Sequence, residues 1–161
     1  MRGVTLGLVG ILLGVSGGRG PGSGPYEIQL LPTPRAPTAS GAARLHFAQS
    51  PFGVAVTVDG RASYDIDITA AGLPAPGSLG PYTAYVAWAV TPDLTKWVRL
   101  GTLGNGKSTV GPVSLNKFLL VLAAESSATA MHAGPTVLHG TSPSGWLQSF
   151  LTHPLFRGVP Q

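Results

Sequence analysis

The chain contains no cysteine. This excludes disulfides, thiolate metal sites, cysteine nucleophiles and a lipid-modified N-terminal cysteine, so stability has to come from packing. Charge is also scarce: Asp, Glu, Lys and Arg make up 10% of 161 residues, with six acids and ten bases for a formal net charge of +4. Six acids are too few and too dispersed for the oxygen cage that calcium requires. The bases Arg44, Arg61, Lys96, Arg99, Lys107 and Lys117 stand singly, whereas nucleic-acid binding calls for Lys and Arg clustered along one element. Nucleic acid is therefore not an expected partner. The apolar run near the N-terminus is shorter than the roughly 20 residues of a membrane span and diluted by glycine, and no long stretch has a helical period.

What the sequence does contain is punctuation, with 23 glycines and 15 prolines. The opening "MRGVTLGLVGILLGVSGGRG" places Arg2 ahead of an uncharged apolar run that ends at Arg19, the layout of a secretory signal peptide over residues 1–18. Small residues at Val15-Ser16-Gly17 and Ser16-Gly17-Gly18 suit cleavage between Gly17 and Gly24. The competing reading is a retained anchor, which the many glycines weaken. Residues 19–40, rich in Gly, Pro, Ser and Thr, read as a linker. Its apolar island Tyr26 to Leu31 is flanked by prolines and is expected to give at most an edge strand.

From residue 41 onward the pattern is β. "ARLHFAQ" sets Leu45 and Phe47 against Arg44 and His46, and Val54, Val56 and Val58 follow in period two. Asp59-Gly60 reads as a hairpin turn leading to Tyr64, Ile66 and Ile68, with Asp65, Asp67 and Thr69 on the other face. "YTAYVAWAV" is nearly free of charge on both faces, as a covered central strand is. "KWVRLGTL", "STVGPVSLN", "KFLLVLAAES" and "GPTVLHGTS" supply further strands, and Gly104-Asn105-Gly106 supplies a tight turn. Seven or eight short strands without a helix predict an all-β fold, an immunoglobulin-like antiparallel sandwich over residues 41–142. Its expected core includes Val56, Ile66, Val86, Trp88, Leu120 and Leu122. Residues 143–161 form an apolar tail: Pro143 can start a short helix in which Trp146/Phe150 and Leu147/Leu151 pair at i, i+4, until Pro154 stops it. Such a tail must dock on its own domain or await a partner.

The segment from Tyr82 to Gly140, a little over a third of the chain, resembles the extracytoplasmic C-terminal domain of membrane-bound anti-sigma-K-type factors. The resemblance rests on Tyr85-Val86-Ala87-Trp88, on the hairpin ending Leu100-Gly101, on the apolar strand from Leu120 to Glu125, and on "GPTVLHG". It implies a sandwich in the cell envelope. The family's cytoplasmic sigma-binding domain has no counterpart here, so control of a sigma factor is not implied.

Chemistry is thin. Asp65 and Asp67 share a strand face about 7 Å apart and read as solvated. Ser126 and Ser127 lack a nucleophile-elbow context. His46, His132, His139 and His153, with Met131 beside His132, raise copper handling, because imidazole and thioether both suit that metal, but their spacing forms no motif. No cofactor and no catalytic set are implied. The expectation is a secreted or periplasmic, non-catalytic module that contacts an envelope protein through the loop Leu73 to Pro81, Trp97, Trp146 and Phe150. The alternative is an exported copper-type protein or hydrolase that gathers its site from dispersed His and Asp.

Overall fold

Two strands carry almost no polar side chain, β6 (Ala84–Val90, AYVAWAV) and β9 (Leu119–Glu125, LLVLAAE). A strand of this kind is stable only where both faces are covered, and the two lie side by side with Trp88 opposite Val121. The computed structural model describes residues 26–51, 53–58, 61–126 and 131–143. The other strands are β1 (Glu27–Pro32), β2 (Ser40–Phe47), β3 (Gln49–Ser50), β4 (Gly53–Val54), β5 (Tyr64–Ala71), β7 (Trp97–Leu103), β8 (Gly106–Val113) and β10 (Thr136–Thr141). Among the described residues the only helical turn is a 3-10 segment, Pro76–Ser78.

Eight strands form one antiparallel sheet in the order β7-β6-β9-β10-β1-β2-β5-β8, folded over into two layers. One layer is β7-β6-β9-β10 and the other is β1-β2-β5-β8. β7 and β8, the two edges, are joined through the Gly104-Asn105 turn, so the sandwich is nearly closed. The expected antiparallel sandwich of seven or eight strands is thus present. Its core lies between the layers, where Ile28, Leu30, Ile66, Ile68, Phe118, Leu120, Leu122 and Leu138 are buried. Each contributes about 1.5 to 3 kcal/mol of transfer free energy.

β1 corrects the linker expectation for residues 19–40. It is a central strand: Glu27 to Leu30 pair with Arg44 to Gly41 of β2, and Leu31 and Pro32 pair with His139 and Leu138 of β10. The alternation in Glu27-Ile28-Gln29-Leu30 buries Ile28 and Leu30. Pro32 is tolerated because it falls on the last residue, after the strand has changed neighbours, and the next donor, the Thr33 N–H, bonds Val137 O at 3.0 Å.

Val56 is a second correction. It is 63% exposed and forms only a bridge to Ala62. The β5 ladder is taken by β2, paired without interruption from Ser40↔Ala71 to Phe47↔Tyr64. The Val54 to Val58 alternation therefore belongs to a ribbon projecting past the layer. Phe47, expected inside, is half-exposed at the core's end, stacked on Tyr64 at 5.0 Å with Tyr26 edge-on at 6.3 Å. Ile66, Val86, Trp88, Leu120 and Leu122 are buried as expected. The residues 1–18, Asp59-Gly60, Ser127, His153, and the tail carrying Trp146 and Phe150 lie outside the described residues.

Candidate functional site

The outer face of the β7-β6-β9-β10 layer carries its own apolar cluster, Val86, Trp88 and Val90 from β6 with Val121 and Ala123 from β9. Both strands alternate large residues outward here with core residues inward. Trp88 is 1% exposed, so it is core as expected, though in this second cluster. Trp97, from β7, meets Trp88 edge-on with centroids 6.3 Å apart.

The outward series along β9 ends at Glu125, a carboxylate that is 2% exposed. A buried polar group of this kind is tolerated only when hydrogen-bonded, and three groups meet it. His132 Nδ1 donates to Oε1 at 2.8 Å, the Ala133 N–H to Oε1 at 3.1 Å, and the Gly134 N–H to Oε2 at 3.0 Å. Gly134 is required at this point because a Cβ there would run into the Ala124 carbonyl oxygen. The Glu125 contact fixes the His132 ring, which stacks on Trp97 with centroids 4.2 Å apart and planes 9° apart and lies edge-on to Trp88 at 6.0 Å.

The turn at residues 91–96 completes the site. The Thr91 N–H bonds Lys96 O and the Lys96 N–H bonds Thr91 Oγ1, both at 3.0 Å. Hydrogen bonds from Thr91 and Thr95 hold the Asp93 carboxyl below the usual carboxylate range. This network holds Leu94 at φ 60°, in the left-handed region that a branched aliphatic residue seldom occupies. Leu94 is 56% exposed, and its carbonyl accepts the Trp97 Nε1–H at 3.1 Å. Met131, next to His132, is 78% exposed. Leu94, whose carbonyl holds the Trp97 ring, and Met131, the chain neighbour of His132, are exposed apolar residues adjoining the Trp97–His132 stack.

The other expected contributors are dispersed. His46 stands opposite Asp65 on the outer face of the second layer, and His139 stands opposite Val121 on β10. Asp67 accepts from Thr109 Oγ1 at 2.6 Å and pairs with Lys107 Nζ at 3.0 Å, and these partners hold its carboxyl below the usual range. Among the described residues no three His, Asp or Glu side chains converge on a metal site. The loop from Leu73 to Pro81 borders an open cleft of about 470 Å³, but its nearby polar groups are used internally. The Asn105 amide bonds both the N–H and the C=O of Leu73 at 2.9 and 3.0 Å, and the Tyr85 hydroxyl donates to Pro74 O at 2.8 Å.

Of the expected contact residues, Trp97 lies in the site, while Trp146 and Phe150 are outside the described residues. Sequence reasoning paired the histidines with Asp65 or Asp67 and missed Glu125. The signal was present: a glutamate closing an otherwise apolar outward series, followed seven residues later by a histidine and then by Gly134. Comparison of the chain with protein-family models, curated proteins and solved structures returned no match.

Proposed function

We propose that the protein is a non-catalytic recognition module of the cell envelope, and that it engages a protein partner through the rim formed by Leu94, Trp97, Met131 and His132. The observation that carries this reading is the held geometry of the rim: a stacked Trp97–His132 pair, fixed from below by Glu125 and at its side by the Leu94 carbonyl, on a rigid sheet. Recognition concentrates on ordered aromatics at loop positions, because little conformational entropy is lost when they bind. The envelope location follows the signal-peptide layout and the resemblance of Tyr82 to Gly140 to anti-sigma-K-type extracytoplasmic domains. From that resemblance we carry over the sandwich and its location, not sigma-factor control.

The Glu125–His132 contact also favours a second reading, hydrolysis with His132 as an oriented base. The two readings separate in one experiment. The wild-type protein and the Trp97→Ala and His132→Gln variants are each cross-linked in an envelope fraction and also assayed on ester and phosphoester substrates. Recognition predicts one partner retained by the wild type and lost from Trp97→Ala, with no turnover. Turnover abolished by His132→Gln would overturn it.

A further inference from the structure

β2 closes on an alternation that ends in an aromatic ring. Arg44 and His46 lie on the outer face of the second layer, opposite Asp67 and Asp65 of β5, and Phe47 stands opposite Tyr64. Arg44 and His46 are exposed. Phe47 is 42% exposed although its ring stacks on Tyr64 and meets Tyr26 edge-on. A ring supported by two others keeps one orientation, so a ligand that lies on it costs little further side-chain freedom.

These residues line an open cleft. Tyr26, Arg44, Leu45, His46, Phe47 and Asp67 border about 480 Å³, within the roughly 300 to 1,000 Å³ of small-ligand sites. Asp67 is engaged by Thr109 and Lys107, and among the described residues no carboxylate pairs with the Arg44 guanidinium. Nor does any described group bond the hydroxyl of Tyr26 or of Tyr64. Burial, and then the nearby Tyr26, push the Tyr64 phenol above its ordinary range.

The charges around the cleft are mixed. Glu27 stands opposite Arg44 on the β1 side, and Glu27, Asp65 and Asp67 balance Arg44 and Lys107 on this face. Such a face has no field of one sign to select a polyanion or a polycation. It offers instead guanidinium, imidazole and phenol groups around a ring whose negative face attracts C–H groups. A pyranose ring carries the matching chemistry, with C–H groups on its face and hydroxyls at its edge that both donate and accept.

We infer that this cleft binds an uncharged saccharide, one pyranose ring lying against Phe47 with its hydroxyls reaching Arg44, His46 and Tyr26. This goes beyond the proposed recognition of a protein partner and does not rest on it, since the cleft belongs to the second layer and the rim to the first.

The test is isothermal titration of the protein with soluble oligosaccharides of glucose, mannose and N-acetylglucosamine, and with polygalacturonate as the acidic counterpart. At least one uncharged probe is expected to bind, with an affinity that is the same in low and high salt. Arg44→Ala and Phe47→Ala should each weaken that binding about tenfold or more, while Trp97→Ala, in the rim, should leave it unchanged. Arg44→Ala removes an exposed side chain and should keep the thermal midpoint of the wild type, so its result stands even where Phe47→Ala unfolds. The inference is overturned by no binding of any uncharged probe, or by equal affinity in Arg44→Ala and wild type. It is also overturned by binding of polygalacturonate alone that salt abolishes, which would assign the cleft to a polyanion, or by loss of binding in Trp97→Ala, which would place the sugar on the rim.

Discussion

Glu125 and Trp88 show how single residues set the character of the site. Glu125 is held under a nearly closed surface by hydrogen bonds to His132 and to two backbone N–H groups. Replacing it by alanine strands those donors, and leaving a buried donor unpaired costs about 1 to 3 kcal/mol. Glu125→Ala is therefore expected to lower the urea midpoint and to release the His132 ring from Trp97, read as a change in Trp97 fluorescence. Glu125→Gln, which accepts through one oxygen, should recover part of the loss. Trp88→Ala empties a filled position on the outer face of β6 and should cost about 3 to 5 kcal/mol, whereas a cost under about 1 kcal/mol would place Trp88 in a face that collapses freely. The burial of Trp88 was legible in the sequence from its apolar neighbours at i±2. Its partner His132 was not, because the contact is made by a turn that returns over the sheet, and no periodicity reports a return of that kind.

At the scale of elements, the ladders follow the alternation of the sequence wherever one face is wet. Asp65, Asp67 and Thr69 lie opposite Ile66, Ile68 and Ala70 as the pattern requires. β1 escaped that reading because its flanking prolines suggest a linker, and only the change of neighbours at Leu31 explains why Pro32 costs the ladder nothing. This crossing also needs Gly140, since a Cβ there would meet Gln29 O and the Ile28 side chain. Gly140→Val is expected to destabilise by about 1 to 3 kcal/mol through overpacking, measured by chemical denaturation. Val56 was misread for the opposite reason: period-two valines look the same in a buried strand and in a ribbon that projects beyond its sheet.

Asp67 gives the pH dependence of the second layer. Thr109 and Lys107 hold its folded pKa below the ordinary carboxylate range. Its stabilising contribution is in place above about pH 4 and is lost as pH falls through the depressed value. The Tm difference between wild type and Asp67→Asn should therefore be widest near neutrality and close on acidification. A gap that widens in acid would contradict the assignment.

Considered whole, the molecule is a nearly closed sandwich whose outer β6–β9 face carries as much apolar commitment as a core. The architecture was readable from strand count, turn residues and the scarcity of charge. The site was half readable: Trp97 stood out, while Leu94 and Met131 are unremarkable in sequence and matter because the Leu94 carbonyl holds the Trp97 ring and Met131 adjoins the His132 stacked on it. The central claim is that this rim recognises a partner. The measurement that tests it most directly is quantitative cross-linking of the protein in an envelope fraction, comparing wild type with Leu94→Asp, Trp97→Ala and, on the opposite layer, Thr69→Asp. The account predicts one cross-linked partner whose yield falls in both rim variants and holds in Thr69→Asp. Equal yields from all four proteins would contradict it.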